Sequence, residues 1–150
     1  MATKKTPADK FRTRLDGLSD AIPEDLRLPS LVDNRLEGYA YLFRLVLPLF
    51  NARGTRIFTD PILDELFEVL DNRFGGCMVA SSSSAPPLWG LWHPPQQSQA
   101  EKDYLTTAEV LANPIEPANR FIAGLKPILK TAGHIEQQEL LISRIECRLM

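Results

Sequence analysis

The sequence predicts a single α+β domain, and three observations support this prediction. Two segments have the apolar spacing of amphipathic helices, and four have the β-propensity or alternation typical of strands. Their order along the chain is strand, helix, strand, strand, helix, strand. The 150 residues, 44% of them hydrophobic, are enough to bury one core.

Residues 1–38 are predicted to be a tail and arm that precede the domain of residues 39–150. A short helix is expected over residues 11–22, because four apolar residues recur there at helical spacing: Phe11, Leu15, Leu18 and Ile22. Pro23 and Pro29 bracket an extended stretch after it. This arm either packs on the domain or binds a partner.

The first strand is predicted at residues 39–47, where every odd position is apolar or aromatic and Arg44 falls on the even face. Asp60 and Pro61 predict the start of a helix, since the carboxylate can cap free N–H groups and proline needs no donor there. Gly75 and Gly76 are expected to end it. Its apolar stripe has helical spacing: Ile62, Leu63, Leu66, Phe67, Leu70 and Phe74.

Residues 77–83 and 102–111 are predicted to be the second and third strands, joined by a connection rich in proline and tryptophan at 85–97. Asn113 is expected to cap the second helix, with Glu116 at the spacing of a capping box. Pro127 lies inside the apolar stripe of this helix and predicts a kink or an early stop. Residues 140–149 form the last predicted strand, with alternating faces.

Two interlocked strand–helix–strand units predict a ferredoxin-like plait, in which a four-stranded antiparallel sheet carries both helices on one face. In its usual strand order, 4-1-3-2, the first and third strands are central. Cys77 and Cys147 would then lie on opposite edges, about 14 Å apart. A disulfide requires Cα atoms within about 7 Å, so we expect two free thiols.

Three short motifs accompany these elements: Asn72-Arg73-Phe74-Gly75-Gly76, Trp89-Gly90-Leu91-Trp92 and Gln138-Glu139. Together they resemble the layout of small bacterial α+β plait families that have no assigned function. The resemblance covers about residues 39–149. It implies the fold and no activity, and therefore no catalytic residue is transferred from it.

Charge and composition exclude several classes of function. With 17 basic and 19 acidic residues the net charge is −2, which disfavours the basic stripe typical of nucleic-acid binding. The N-terminal residues lack the pattern of a secretory signal, and no apolar run is long enough to span a membrane, so we expect a cytoplasmic protein. Two cysteines and two histidines provide no cysteine-based zinc site, and no phosphate-binding loop is present. No metal or cofactor is expected.

The connection between the second and third strands carries the candidate chemistry. Trp89 and Trp92 either close the core or fill a subunit contact, or they line a mouth beside the uncovered face of the sheet. His93 is either a structural loop histidine or the proton-transfer group of a small enzyme.

The uncovered face of the sheet is the second candidate. If the odd positions of the first strand face the helices, Arg44 points to the uncovered side. We expect Arg144 and Arg148 to do the same, and Glu109 to join them. Such a face is interpreted, in order of preference, as a solvated surface, a dimer interface with cross-strand ion pairs, or an anion-binding cavity between two facing sheets. Apolar residues are expected among the arginines: Leu42, Val46 and Ile142.

These observations favour a non-enzymatic interaction module or small-ligand-binding module that acts as a homodimer. The alternative is a small enzyme whose pocket lies between the uncovered face and residues 89–93. In that case His93 would transfer a proton, and Arg44 or Arg144 would hold an anionic substrate. The candidate ligand-binding residues are Arg44, Trp89, Trp92, His93, Glu109 and Arg144.

Overall fold

A computed structural model of the chain describes residues 3–28, 38–51, 53–80, 88–92, 99, 101–135 and 140–150, with 88–92 and 101–103 described by their backbone. These residues form three helices and five strands. The helices are α1 (Pro7–Ala21), α2 (Asp60–Phe74) and α3 (Glu116–Ala132). The strands are β1 (Gly38–Pro48), β2 (Met78–Ala80), β3 (Leu88–Trp92), β4 (Glu101–Ala112) and β5 (Leu141–Leu149).

The predicted α+β class is confirmed, and the strands pair antiparallel in one sheet. Four of them lie in the order β2-β4-β1-β5. The fifth strand, β3, pairs with the first half of β4, whereas β2 pairs with the second half. Both therefore lie along the same edge of β4, opposite the edge that pairs with β1. The long strands β1 and β4 are therefore neighbours in the middle of the sheet.

The strand β3 corrects the prediction of an irregular connection at 85–97. Leu88–Trp92 pairs with β4, with Trp89 opposite Tyr104. Prolines on both sides of this segment concealed the β-propensity of its tryptophans. The described part of the second strand is Met78–Ala80, and residues 81–83 of the predicted strand lie outside the described part of the chain.

The helix α1 begins at Pro7, four residues before the predicted start. Thr6 caps it: its hydroxyl oxygen accepts a hydrogen bond from the Asp9 N–H at 3.1 Å, and the Asp9 carboxylate accepts one from the Thr6 N–H at 2.8 Å. This reciprocal pair is a capping box, with proline in the first turn. The spacing of Thr6 and Asp9 was the missed signal.

The caps of the other two helices also differ from prediction. The N-cap of α2 is Thr59, so Asp60 is its first helical residue, and the N-cap of α3 is Ile115 rather than Asn113. The backbone N–H of Asn113 instead donates a hydrogen bond to the Leu26 carbonyl at 3.3 Å, which ties the arm to the domain. The predicted stop of α2 is confirmed, since Gly75 has a φ of 75°.

Pro127 does not stop α3 early, because that helix continues to Ala132. Proline removes one backbone hydrogen bond. The helix continues because Leu125 before Pro127 and Leu129 after it are both buried in the core. Packing therefore outweighs the local preference at this position.

One side of the sheet carries the core. The odd positions of β1 from Phe43 to Leu47 and the even positions of β4 from Ala108 to Ala112 are buried in one cluster with the apolar stripes of all three helices. Phe74 of α2 meets Phe121 of α3 edge to face, with ring centroids 5.7 Å apart. Leu26 and Leu28 of the arm are also buried, so the described part of the arm packs on the domain.

Candidate functional site

The other side of the sheet, which no described helix covers, is called the open face. It is built from alternate residues of the strands, because successive side chains of a strand point to opposite sides. The register of the pairs assigns these residues to it: Leu42, Arg44 and Val46 of β1, Leu105, Thr107, Glu109 and Leu111 of β4, Met78 of β2, and Leu141, Ser143, Ile145 and Cys147 of β5.

Arg44 and Glu109 form an ion pair at the centre of the open face. They are direct partners in the register of β1 and β4, and Arg44 Nε lies 3.3 Å from Glu109 Oε1. The side chains are 45% and 22% exposed, so water screens their attraction. Such a pair contributes at most about 1 kcal/mol to stability. Its charges therefore remain available to a partner.

Arg144 does not join this pair, and its predicted place on the open face is wrong. It lies opposite Phe43 in the register of β5 and β1, on the side that the helices cover. There its guanidinium donates to Asn119 Oδ1 at 2.7 Å and lies 4.5 Å from the centroid of the Tyr41 ring. Arg144 therefore links β5 to α3.

The same register also corrects the predictions for Arg148 and Ile142. Arg148 lies opposite Tyr39 and Ile142 opposite Leu45, so both positions are on the covered side, and Ile142 packs against the core. Alternation within β5 was predictable, but a shift of one residue in register exchanges the two faces of a strand. The side that meets the helices was therefore not determined by the pattern of β5 itself.

Apolar side chains take the place of the two arginines on the open face. Leu141 is 62% exposed, Ile145 is 45% exposed, and Met78 at the other end of the sheet is 62% exposed. These three residues were missed as functional candidates. The apolar face of β5 was visible in the sequence, but only the register shows that this face lies outside the core.

The remaining candidates lie in or beside β3. Trp89 is paired with Tyr104 and Trp92 with Glu101 in the backbone register. Their side chains and all of His93 lie outside the described residues. The hypotheses of a tryptophan-lined mouth and of a proton-transfer histidine thus remain predictions.

Both cysteines are free thiols and are partly buried. Cys77 precedes the edge strand β2, and Cys147 lies on the edge strand β5 at the other end of the sheet. Burial, together with the nearby carboxylate of Asp71, raises the pKa of the Cys77 thiol to about 11. Cys77 is therefore a weak nucleophile at neutral pH.

Within the described residues, no three side chains from histidine, cysteine, aspartate and glutamate cluster as metal ligands. The helices found there are too short or too polar to cross a lipid bilayer. Comparison of the chain with protein-family models, with curated proteins and with solved structures found no match. The function is therefore argued from the geometry of the chain alone.

Proposed function

We propose that this chain is a non-enzymatic interaction module that forms a homodimer by packing two open faces together. The observation that carries the proposal is the exposure of Met78, Leu141 and Ile145 on the one side of the sheet without a described helix. Large apolar side chains exposed on one face of a sheet are a feature of interaction sites. Burial of these side chains would stabilise a dimer by the hydrophobic effect.

A second copy of the same chain suits the charges of this face. The pair of Arg44 and Glu109 spans the two central strands, so a two-fold axis near the middle of the sheet would pass beside it. If the axis runs between β1 and β4 and parallel to them, the rotation places the arginine of one protomer opposite the glutamate of the other. An ion pair is its own complement under such symmetry, as an isologous interface requires.

The size of the open face suits a reversible dimer. Four strands spaced ~4.8 Å apart, which average about nine residues at ~3.3 Å per residue, cover roughly 550 Å² in plan. A standard interface buries about 800 Å² on each partner. We therefore expect dissociation in the micromolar range rather than an obligate dimer.

We also propose that the sheet with α2 and α3 is a ferredoxin-like plait. The strand order β2-β4-β1-β5 and the burial of both helices against one side of the sheet support this assignment. In this view β3 extends the edge formed by β2, and α1 is an addition that packs on the two plait helices. The proposal explains why one side of the sheet is left for a partner.

Sedimentation velocity over a micromolar concentration series tests the dimer. Ile145→Lys places a charge in the apolar part of the proposed interface, and we expect it to weaken association at least tenfold. Ile115→Lys is the matched control, because Ile115 is 38% exposed and lies before α3, away from the open face. A wild-type monomer at all concentrations, or equal weakening by both variants, would disprove the proposal.

A further inference from the structure

A groove lies at one end of the molecule, where the starts of α1 and α2 meet the end of α3 and the turn after β1. It consists of two cavities of about 500 and about 260 Å³. Four residues line both cavities, which makes them two lobes of one groove: Pro7, Ile62, Ala132 and His134. Small-molecule sites have volumes of about 300–1,000 Å³, so the larger lobe has the size of a ligand site.

The ionisable side chains that line this end groove are basic, and none of them is acidic. Arg56 lines the larger lobe, Lys10 and Arg14 line the smaller one, and His134 lines both. No aspartate or glutamate is among the lining residues of either lobe, although the whole chain has a net charge of −2. The end groove therefore has a locally positive electrostatic potential, which attracts anions.

Two of these cations are available to a ligand. Within the described part of the chain, neither Lys10 nor Arg14 forms an ion pair, whereas Arg12 between them binds Glu65 at 2.7 Å. Lys10 and Arg14 are four residues apart on one face of α1, an arrangement in which like charges destabilise a helix. A bound anion between them would relieve this repulsion.

Arg56 and the end of α3 already have hydrogen-bond partners, and the carboxylate of Asp60 offsets part of the charge of Arg56. Arg56 donates to the Phe58 carbonyl and to Asp60, both at 2.8 Å, which fixes its guanidinium at the rim. Near the end of α3, the Thr131 carbonyl accepts a hydrogen bond from the His134 N–H at 3.3 Å. This carbonyl is therefore already paired within the backbone.

The walls of the end groove are largely apolar. Pro7, Ile57, Pro61 and Ile62 line the larger lobe together with Ala132. A ligand that fills the groove would place an apolar group against these residues and an anionic group toward the basic ones. Because Lys10 and Arg14 both line the smaller lobe, a dianion gains more than a monoanion from binding there.

We propose that the end groove binds a small phosphate monoester with an apolar portion. This site is separate from the open face, since none of its lining residues belongs to that face. The phosphate lies near Lys10 and Arg14, and the apolar portion lies in the larger lobe. The proposal does not depend on whether the chain forms a dimer.

Phenyl phosphate is a suitable probe, and phenol is its uncharged control. When phenyl phosphate is titrated into the ¹⁵N-labelled chain, we expect the amide chemical shifts of residues around Pro7, Ile62 and Ala132 to change. We expect a Kd of about 1 mM or tighter. Phenol should bind at least tenfold more weakly, because it lacks the charge.

The variant Arg14→Gln tests the basic side chain, and Arg148→Gln is the matched control, since Arg148 is exposed on β5. Loss of one charge-assisted contact should weaken phenyl phosphate binding about tenfold in the first variant and leave it unchanged in the second. The unchanged amide spectrum of each free variant shows that it folds. Absence of shifts near the groove, equal binding of phenol, or equal weakening by both substitutions would overturn the proposal.

Discussion

The guanidinium of Arg44 lies 3.3 Å from the carboxylate of Glu109, across the two central strands of the sheet and on the side opposite the helices. The two groups belong to one protomer, but they are only partly buried. In the proposed dimer each would also meet its opposite charge in the partner. The pair therefore gives a test of how the two open faces are oriented.

Exchange of the two charges of this pair should distinguish a dimer of defined orientation from non-specific association. Arg44→Glu places like charges beside each other within the protomer and across the proposed two-fold axis, which is strongly unfavourable in an interface. We expect the dissociation constant of the dimer to rise at least tenfold, as measured by sedimentation equilibrium. Arg44→Glu combined with Glu109→Arg restores opposite charges and should restore association. Failure of the double variant to recover would contradict the two-fold arrangement.

Gly75 should be needed for stability and Gly76 should not. Gly75 ends α2 with a φ of 75°, and a Cβ there would lie 3.0 Å from Arg27 Cδ, whereas nothing lies within 4 Å of a Cβ at Gly76. Gly75→Ala is therefore expected to lower the free energy of unfolding by about 1 kcal/mol or more. Urea denaturation measures this loss. An equal loss from Gly76→Ala would show that backbone strain is not the cause.

Arg12 should stabilise the contact between α1 and α2. Its guanidinium binds Glu65 at 2.7 Å and Asp16 at 2.9 Å, and these carboxylates hold the pKa of Arg12 above its ordinary value. Because the pairs are partly exposed, Arg12→Gln should lower the free energy of unfolding by only about 1 kcal/mol. Arg14→Gln on the same helix is the control. Equal effects in urea denaturation would indicate a general charge effect instead.

Much of the fold was predictable because local signals and burial agree. The stripe from Ile62 to Phe74 has apolar spacing, a proline near its start and a glycine stop, and α2 follows this pattern. From Phe43 to Leu47 the alternation in β1 likewise matches its burial, whereas Tyr39 is exposed and Ala40 is buried. The strand β3 was missed because flanking prolines obscure its local pattern, although it pairs with the next strand along the chain, β4.

The candidate site was predictable only where the burial pattern of a strand also indicates its orientation. Arg44 lies between Phe43 and Leu45, whose burial places the arginine on the other side of the sheet. Arg144 lies in a strand whose odd positions are mostly apolar. These odd positions of β5 pair with the even positions of β1, so they lie on the open face and Arg144 lies on the covered side. Register is a property of two strands, so the pattern of one could not provide it. The end groove was missed because its basic residues come from distant segments.

The thiol of Cys77 should respond to pH in both its reactivity and its contribution to stability. Its pKa is raised from 9.0 to about 11 in the folded chain. Only the thiolate reacts with iodoacetamide, so alkylation of Cys77 should be slow at neutral pH and rise about tenfold with each pH unit up to that pKa. Peptide mass spectrometry would measure the rate at this residue. A rate that levels off near pH 9 would contradict the burial of the thiol.

The same shift predicts how stability changes in alkaline solution. The unfolded chain loses the thiol proton first, so the contribution of Cys77 is fully present below pH 9.0 and is lost as the pH rises through about 11. Cys77→Ala should therefore make the free energy of unfolding fall less steeply over this interval than in the wild type. Urea denaturation at a series of pH values measures both slopes. Parallel slopes would mean that the thiol is as acidic in the folded chain as in the unfolded one.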